Sequence, residues 1–523
     1  MATRSRTADD SRLRSGTAAH PTLEETGNMS HWKPSLPVGR GAGAVRLLLA
    51  ITLASFNACD SLLDVELPAE VTDLALEDPR SAGTLVNSVI ALFECSYSSF
   101  AYWSMSHDDV GEQVTAGSAY QTTAPGGSCD QTDRSTVWYQ DLQVSRALAA
   151  ETYDRLANDW TAAEVPNREV YQAVLALYSA ANVTLLGEFL CEVAFDAGPF
   201  MSPEQALLHG EEWIEIALGH IANTGDFEVA DGIAPSAETM AYALRARSRM
   251  ARKEYAGALE DASRVPAGFT AWVTRGQGEE RRNKVAQFGL NFPDRPVLGV
   301  NDWWIGGPNP ATDQPWPEVI PFTGYRHLGI LPDGRAIWDD NQLPVRLEGP
   351  YRKEAEAGAV ADRRVSNVER QLAAGIGLMP VPAKYLDEAD GIPLVSWREM
   401  LLLRAEIEKG QTAIDLVNQL RDHHGLPQVT YVNPADEEQV LNMVYEERRR
   451  EFYVEGGRWW ATKIQHPDRF WFPRHQGRYP SLGYIPLGGV RLVMPGSEYD
   501  LNPNFTRDDR GTGCPPAERP VDF

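Results

Sequence analysis

The stretch YEERRREFYVEGGRWW, residues 445–460, contains eight charged residues and two adjacent glycines. Helical spacing places Glu447 and Glu451 one turn apart on a single face, with Arg448 and Arg450 nearby. A charged catalytic cluster and a structural network of ion pairs are both compatible with this pattern. Because no nucleophile accompanies the charges, and ion pairs are common where a helix stops, the pattern favours the structural interpretation.

Gly456 and Gly457 predict where this helix ends, since glycine readily adopts the backbone angles needed for a sharp turn. Arg458, Trp459 and Trp460 follow at once and are expected to fold back on the helix. The Arg and Glu groups are then expected to pair with one another at the turn.

Apolar residues at helical spacing predict further helices on the N-terminal side, with Pro79 and Pro203 at first-turn positions. The predicted helices cover residues 79–95, 138–156, 174–185 and 203–222.

Two later segments, 241–266 and 398–427, each read as a helical hairpin. In the second, Gly410 makes the turn, and Gly425 and Pro427 end the second helix. Small residues at the crossing favour close packing of the tetratricopeptide type, although generic helical hairpins explain each segment about as well.

Residues 267–395 differ from the helical parts because they are dense in glycine and proline. They also hold five tryptophans, namely Trp272, Trp303, Trp304, Trp316 and Trp338. Long irregular segments in a compact protein are usually functional, so this region is the first candidate for a ligand site.

Near the N-terminus, the run LLLAITLASFNACDSLLD, residues 47–64, places Cys59 directly after twelve uncharged residues. Leu47–Ala58 is too short to span a bilayer, which takes about 20 apolar residues. With basic residues upstream, it is typical of a bacterial lipoprotein signal that ends in lipidation of Cys59. An ordinary secretory signal is the alternative, and Met29 is a second possible start codon.

Four other cysteines, Cys95, Cys129, Cys191 and Cys514, allow three disulfide pairings in an exported protein. Cys95 and Cys129 bracket a turn-rich segment, which favours that pair and leaves Cys191 with Cys514. No CxxC motif is present, so the sequence supports neither a zinc site nor a thioredoxin-like site.

A net charge of −25 makes the chain a poor candidate for binding nucleic acid or anionic lipid. Dinucleotide-binding, P-loop, serine hydrolase and HExxH motifs are all absent. The pair Asp108 and Asp109 is better explained by chance than as a glycosidase pair. His423 and His424 suit a helix C-terminus better than a metal site.

The stretch EERRREFYVEGGRWW resembles the C-terminal signature of the SusD/RagB family, which typically reads ER-R-EL-x-x-EG-x-RW. The matching residues here are Glu447, Arg448, Glu451, Gly456, Arg458 and Trp459. Three further segments resemble family features and occur in the family's order, namely CDSLLDVELPAE at 59–70, the hairpin at 398–427, and RLVMPGSEYDLNPNF at 491–505. Ala461 departs from the acid that often follows the RW pair.

This resemblance implies a mainly α fold in which tetratricopeptide-like hairpins carry a loop-rich ligand face. It implies a leader at 1–58 and a single domain at 59–523, divided into a helical part (67–266), an irregular aromatic part (267–395) and a C-terminal part (396–523). Ligand contacts are expected among aromatic residues of the irregular part and of a second segment near residue 100: Trp303, Trp304, Trp316, Tyr325 and Trp338, with Tyr97, Tyr102, Trp103 and Tyr120.

The resemblance also implies a lipid-anchored protein of the outer membrane, exposed at the cell surface. Such a protein would capture a nutrient, commonly a glycan and in some members a peptide, and deliver it to a SusC-like TonB-dependent transporter. The family offers no catalytic residue, metal or cofactor to carry over. Two functions of other classes stay open, a glycoside hydrolase on a helical scaffold and a purely structural surface lipoprotein.

Lipidation of Cys59 can be tested by metabolic labelling with palmitate. Label should enter the wild-type protein and should be absent from Cys59→Ala, because the variant lacks the acceptor thiol. Equal labelling of the two proteins would contradict the lipoprotein assignment.

Overall fold

The chain divides into two units, Met1–Val71 and Thr72–Phe523. In the computed structural model the described residues all belong to the second unit: 77–105, 111–113, 137–278, 281–291, 298–300, 308–309, 314–315, 363–365, 367–372, 377–426, 428–430, 432–467, 491–509 and 514. Cys59 and the leader, Asp108 and Asp109 lie outside the described residues.

The fold is mainly α-helical. In chain order the helices are α1 (Ala82–Ser104), α2 (Val137–Asp154), α3 (Arg168–Phe189), α4 (Pro203–Thr224), α5 (Ala237–Ala251), α6 (Tyr255–Ser263), α7 (Trp397–Glu408), α8 (Gly410–His423), α9 (Glu437–Glu451), α10 (Arg458–Gln465) and α11 (Gly496–Leu501).

Short strands form four antiparallel pairs in the described part of the chain: β1 (Gly111–Gln113) with β3 (Leu298–Val300), β2 (Thr270–Val273) with β8 (Ile392–Ser396), β4 (Pro308–Asn309) with β5 (Gln314–Pro315), and β6 (Asn367–Leu372) with β7 (Gly377–Pro382). All these strands except β1 lie in or next to the irregular part predicted from the sequence, with β8 ending at its C-terminal border.

Helix α3 is the central helix of the core, and every residue from Gln172 to Phe189 is buried. Among the described residues it is the one helix long and apolar enough to cross a bilayer, but 89% of its apolar window is buried inside the protein. We therefore assign it to the core. A Cβ at Gly187 would lie 3.1 Å from the Cβ of Ala206, which shows how closely α3 and α4 approach.

The predicted helices are present, and their ends follow local signals. Ser202 caps α4 in a capping box with Gln205, and Pro203 occupies the first turn as predicted. The two predicted hairpins are α5–α6 and α7–α8. In each hairpin the helices pack against each other, and α6 also contacts α7.

The predicted end of the first helix is wrong, because α1 continues nine residues past Cys95 to Ser104. The sequence indicated a turn-rich segment after Cys95, where the serines at 96, 98 and 99 are weak helix formers. All three are buried, so tertiary packing overrides their local preference.

The predicted break after α9 is present. Helix α9 ends at Glu451, and Gly456 and Gly457 both have positive φ angles. A Cβ at Gly456 would clash with the hydroxyl of Tyr97, so this position requires glycine for space as well as for backbone angle.

Candidate functional site

Three carboxylates of the 445–460 stretch lie together in the interior, and we call Glu447, Glu451 and Glu455 the acidic clamp. Glu447 and Glu451 share one face of α9, and Glu455 follows in the turn. All three are at most 4% exposed. A buried carboxylate is costly unless it is paired, so the partners of these three acids decide what the cluster does.

Glu447 is paired with two arginines from other parts of the chain. Arg421 Nη1 lies 2.6 Å from one of its oxygens, and Arg364 Nη1 lies 2.7 Å from the other. Arg364 also approaches Glu451 to 3.6 Å. Arg364, which lies three residues before β6, is therefore held directly against α9.

Glu451 binds Arg398 and His424, at 2.6 Å and 2.8 Å. Burial disfavours its charged form, but Arg398 and His424 outweigh burial and hold the pKa of Glu451 well below its usual value. This carboxylate is therefore ionised inside the protein.

Glu455 binds Lys384, whose Nζ lies 2.7 Å away. Burial raises the pKa of Glu455 even with Lys384 and Arg398 close by. The Lys384 ammonium also donates to the backbone carbonyl of Glu451 at 2.7 Å. Lys384, which lies two residues after β7, is therefore also fixed to the acidic clamp.

Together these contacts hold the open end of the β6–β7 ladder, where Asn367 pairs with Pro382, through Arg364 before β6 and Lys384 after β7. Strand β7 in turn contacts β3, and β3 pairs with β1. The acidic clamp is thus connected, through two strand contacts, to both segments predicted to supply aromatic ligand contacts. It offers no open pair of carboxyls, because each of its three acids is buried and ion-paired.

The β1–β3 ladder joins those two segments directly. Gly111 pairs with Val300, and Gln113 pairs with Leu298. In the sequence, Trp303 and Trp304 follow β3 within four residues, and Trp316 directly follows β5. The side chains of Trp303, Trp304, Trp316, Tyr325 and Trp338 lie outside the described residues, as does Tyr120.

Three aromatic residues of the second segment are described, and all lie on α1 rather than in a loop. Tyr97 and Tyr102 are buried, at 0% and 2% exposure, so the expectation that they face a ligand is corrected. Tyr97 packs between Phe93 and Phe100, and Tyr102 packs on Phe288. Trp103 is half-buried against the edge of Tyr102 and stays a candidate.

Comparison with known proteins agrees with this architecture. The SusD family matches residues 398–462, which contain Arg398, α9 and the whole acidic clamp. A SusD-like protein of Formosa agariphila is 40% identical over 79 residues, which are 13% of this chain and only 16% of the relative's length.

Residues 398–462 of the chain match the SusD family.

Solved structures of low sequence identity share the fold. A SusD-like carbohydrate binding protein from Bacteroides vulgatus superposes with a TM-score of 0.54 at 13% identity, covering 82% of this chain and 98% of that one. A Bacteroidetes SusD-like protein gives a TM-score of 0.50 at 14% identity, covering 81% and 95%. The SusD fold therefore extends well beyond the matched signature.

Within the region that matches the SusD family, the signature arginine Arg458 does not pair with the acids of its own stretch, contrary to the local pairing expected. It forms a two-pronged ion pair with Glu188 at the end of α3, at 2.6 Å and 2.9 Å. Both side chains are buried, and the guanidinium also lies over the ring of Phe189. Arg458 therefore fixes the start of α10 to the core helix α3.

Arg448 likewise has a partner outside the signature stretch, since its Nη2 lies 3.0 Å from Glu406 on α7. The sequence indicated the charged residues of the stretch but not their partners Arg364, Lys384 and Glu188. None of the three belongs to a motif that would mark it as a partner. Glu455 could have been included, since it belongs to the quoted stretch.

Cys191 and Cys514 form a disulfide. This is the bond expected for these two cysteines once Cys95 is assigned to Cys129. It fixes residue 514 next to the end of α3. Cys95 is also disulfide-bonded, and its favoured partner Cys129 lies outside the described residues. The residues that the structure describes contain no cluster of three or more His, Cys, Asp or Glu able to hold a metal ion.

Arg458→Ala should lower the free energy of unfolding by about 1 to 4 kcal/mol, because Glu188 would be left buried without its partner. Chemical denaturation measures this loss. The matched control is Arg404→Ala, which removes a more exposed pair with Glu408 and should cost about 0.5 kcal/mol or less. An Arg458→Ala protein of wild-type stability that has lost ligand binding would assign the residue to the ligand site instead.

Proposed function

We propose that this protein captures a glycan at the cell surface and passes it to a SusC-like TonB-dependent transporter of the outer membrane. Cys59 would carry the lipid anchor. The match of residues 398–462 to the SusD family supports the role, and the SusD-like neighbour from Bacteroides vulgatus is described as carbohydrate binding. The observation that carries the proposal is the β1–β3 ladder, which brings the two predicted ligand segments together.

The proposed ligand face consists of Trp303, Trp304, Trp316, Tyr325 and Trp338, with Trp103 at its edge. Sugar rings stack on aromatic side chains because their CH faces are apolar and slightly positive, whereas the aromatic face is negative. The strands β1, β3, β6 and β7 would support this face, and the acidic clamp would hold the strands in place. A peptide or glycopeptide could use the same rings.

The acids described in the signature region support binding rather than cleavage. Hydrolysis of a glycosidic bond needs two carboxyls facing one bond across a cleft. The three clamp acids are instead occupied by Arg364, Arg398, Arg421, His424 and Lys384.

The proposal predicts binding that depends on rings and yields no product. Wild-type protein should be retained on at least one polysaccharide in affinity electrophoresis. Combined Trp303→Ala and Trp304→Ala replacement should weaken retention about tenfold or more, since each stacked ring contributes about 1 kcal/mol. Trp213→Ala on α4 is the matched control, because Trp213 packs against Tyr153 on the helical scaffold.

The same incubations report on catalysis through reducing-end and amine release. Neither should be released, by the wild type or by Asp108→Asn and Asp109→Asn. Steady release that disappears in a carboxylate variant would replace the binding proposal with a hydrolase.

A further inference from the structure

A cavity of about 260 Å³ lies among the helical hairpins, among residues other than those of the proposed ligand face. It is bounded by the start of α6, the end of α7, α9 and the end of α10. Ile407 and Leu441 form an apolar wall, and Tyr255 lines the cavity with 41% of its surface exposed. An exposed aromatic ring beside an apolar wall is a feature that a binding site needs and that a packing defect does not explain.

The polar side of the cavity is formed by three side chains that bond one another. His466 Nε2 lies 2.6 Å from Glu406 Oε1, and the Tyr445 hydroxyl lies 3.4 Å from the same oxygen. Burial disfavours the charged form of Glu406, but Arg448 and His466 outweigh burial and keep its pKa below the usual value. The cavity therefore presents a fixed carboxylate beside a hydroxyl and an imidazole.

Charges around the cavity balance each other. Glu406 is paired with Arg448 at 3.0 Å, and Lys409, which also lines the cavity, is paired with Glu437 at 2.6 Å. Two acidic side chains are therefore paired with two basic ones, so the local field favours neither an anionic ligand nor a cationic ligand. A neutral ligand rich in both donors and acceptors fits this lining best.

The volume of the cavity also limits the size of the ligand. Sites for drug-sized molecules usually have volumes of about 300 to 1,000 Å³, so this cavity suits a single small ring. A sugar ring combines hydroxyls for Glu406, His466, Lys409 and Tyr445 with an apolar CH face for Tyr255.

We propose that this cavity, which we call the hairpin pocket, is a second binding site that takes one uncharged sugar ring. It does not rest on the proposed function of the aromatic face, because the two sites share no residue. The pocket would bind a monosaccharide or the end of a longer chain, weakly, through Tyr255 and the polar group around Glu406.

The test uses saturation-transfer difference NMR on the mature chain with the methyl glycosides of glucose, galactose, mannose and N-acetylglucosamine at millimolar concentration. Two variants address the pocket. Tyr255→Ala removes the exposed ring, and Ile407→Phe fills the cavity while leaving the Glu406–Arg448 pair intact. Tyr242→Ala, a half-buried tyrosine of α5 bonded to Glu238, is the matched control.

At least one glycoside should bind the wild type and Tyr242→Ala, and should bind each pocket variant about tenfold more weakly. The same binding should persist in the combined Trp303→Ala and Trp304→Ala protein, which separates this site from the aromatic face. Unchanged binding to both pocket variants would overturn the proposal, and so would the absence of binding to the wild type by all four probes.

Discussion

The structure depends on buried ion pairs that join one short stretch of sequence to distant parts of the chain. Arg364 reaches Glu447 across 83 residues, and Arg458 reaches Glu188 across 270. Removing one member of a buried pair is strongly destabilising, because the other charge is left unpaired. Each pair therefore specifies one arrangement of helices. Because the pKa of Glu451 is lowered by folding, its stabilisation is present above the unfolded pKa and is lost as pH falls toward the folded value.

The same stretch connects the helical scaffold to strands of the irregular region. The acidic clamp fixes Arg364 and Lys384, which flank the β6–β7 ladder, while Arg458 fixes α10 to α3. The turn between α9 and Arg458 requires glycine at position 456, since no side chain fits there beside Tyr97. A signature that suggested a catalytic cluster is thus better explained as the element that positions an irregular region on a helical scaffold.

Helical periodicity predicted most helices because one apolar stripe per helix is a local property of the sequence. The extension of α1 past Cys95 could not be predicted, because its serines and aromatic residues are stabilised by burial against distant residues such as Phe288. For the same reason Tyr97 and Tyr102 resembled ligand contacts. An aromatic side chain can pack in a core or stack on a sugar ring, and only the fold distinguishes these two roles.

Two partners of the clamp acids, Arg364 and Lys384, were equally inaccessible to sequence reasoning, since neither belongs to a recognisable motif. The β1–β3 pairing joins residues almost 200 positions apart and depends on where α1 ends. The candidate ligand segments could be identified by their tryptophans, whereas their association required the structure.

Hydrogen exchange of the β6–β7 ladder tests the acidic clamp most directly. In Arg364→Met, Glu447 keeps Arg421, and Glu451 keeps Arg398 and His424, so one of the two strand attachments is removed without leaving either acid unpaired. The account predicts faster amide exchange in β6 and β7, unchanged exchange in α2, and no effect of the surface control Arg404→Met. Wild-type exchange in β6 and β7 of a folded Arg364→Met protein would contradict it.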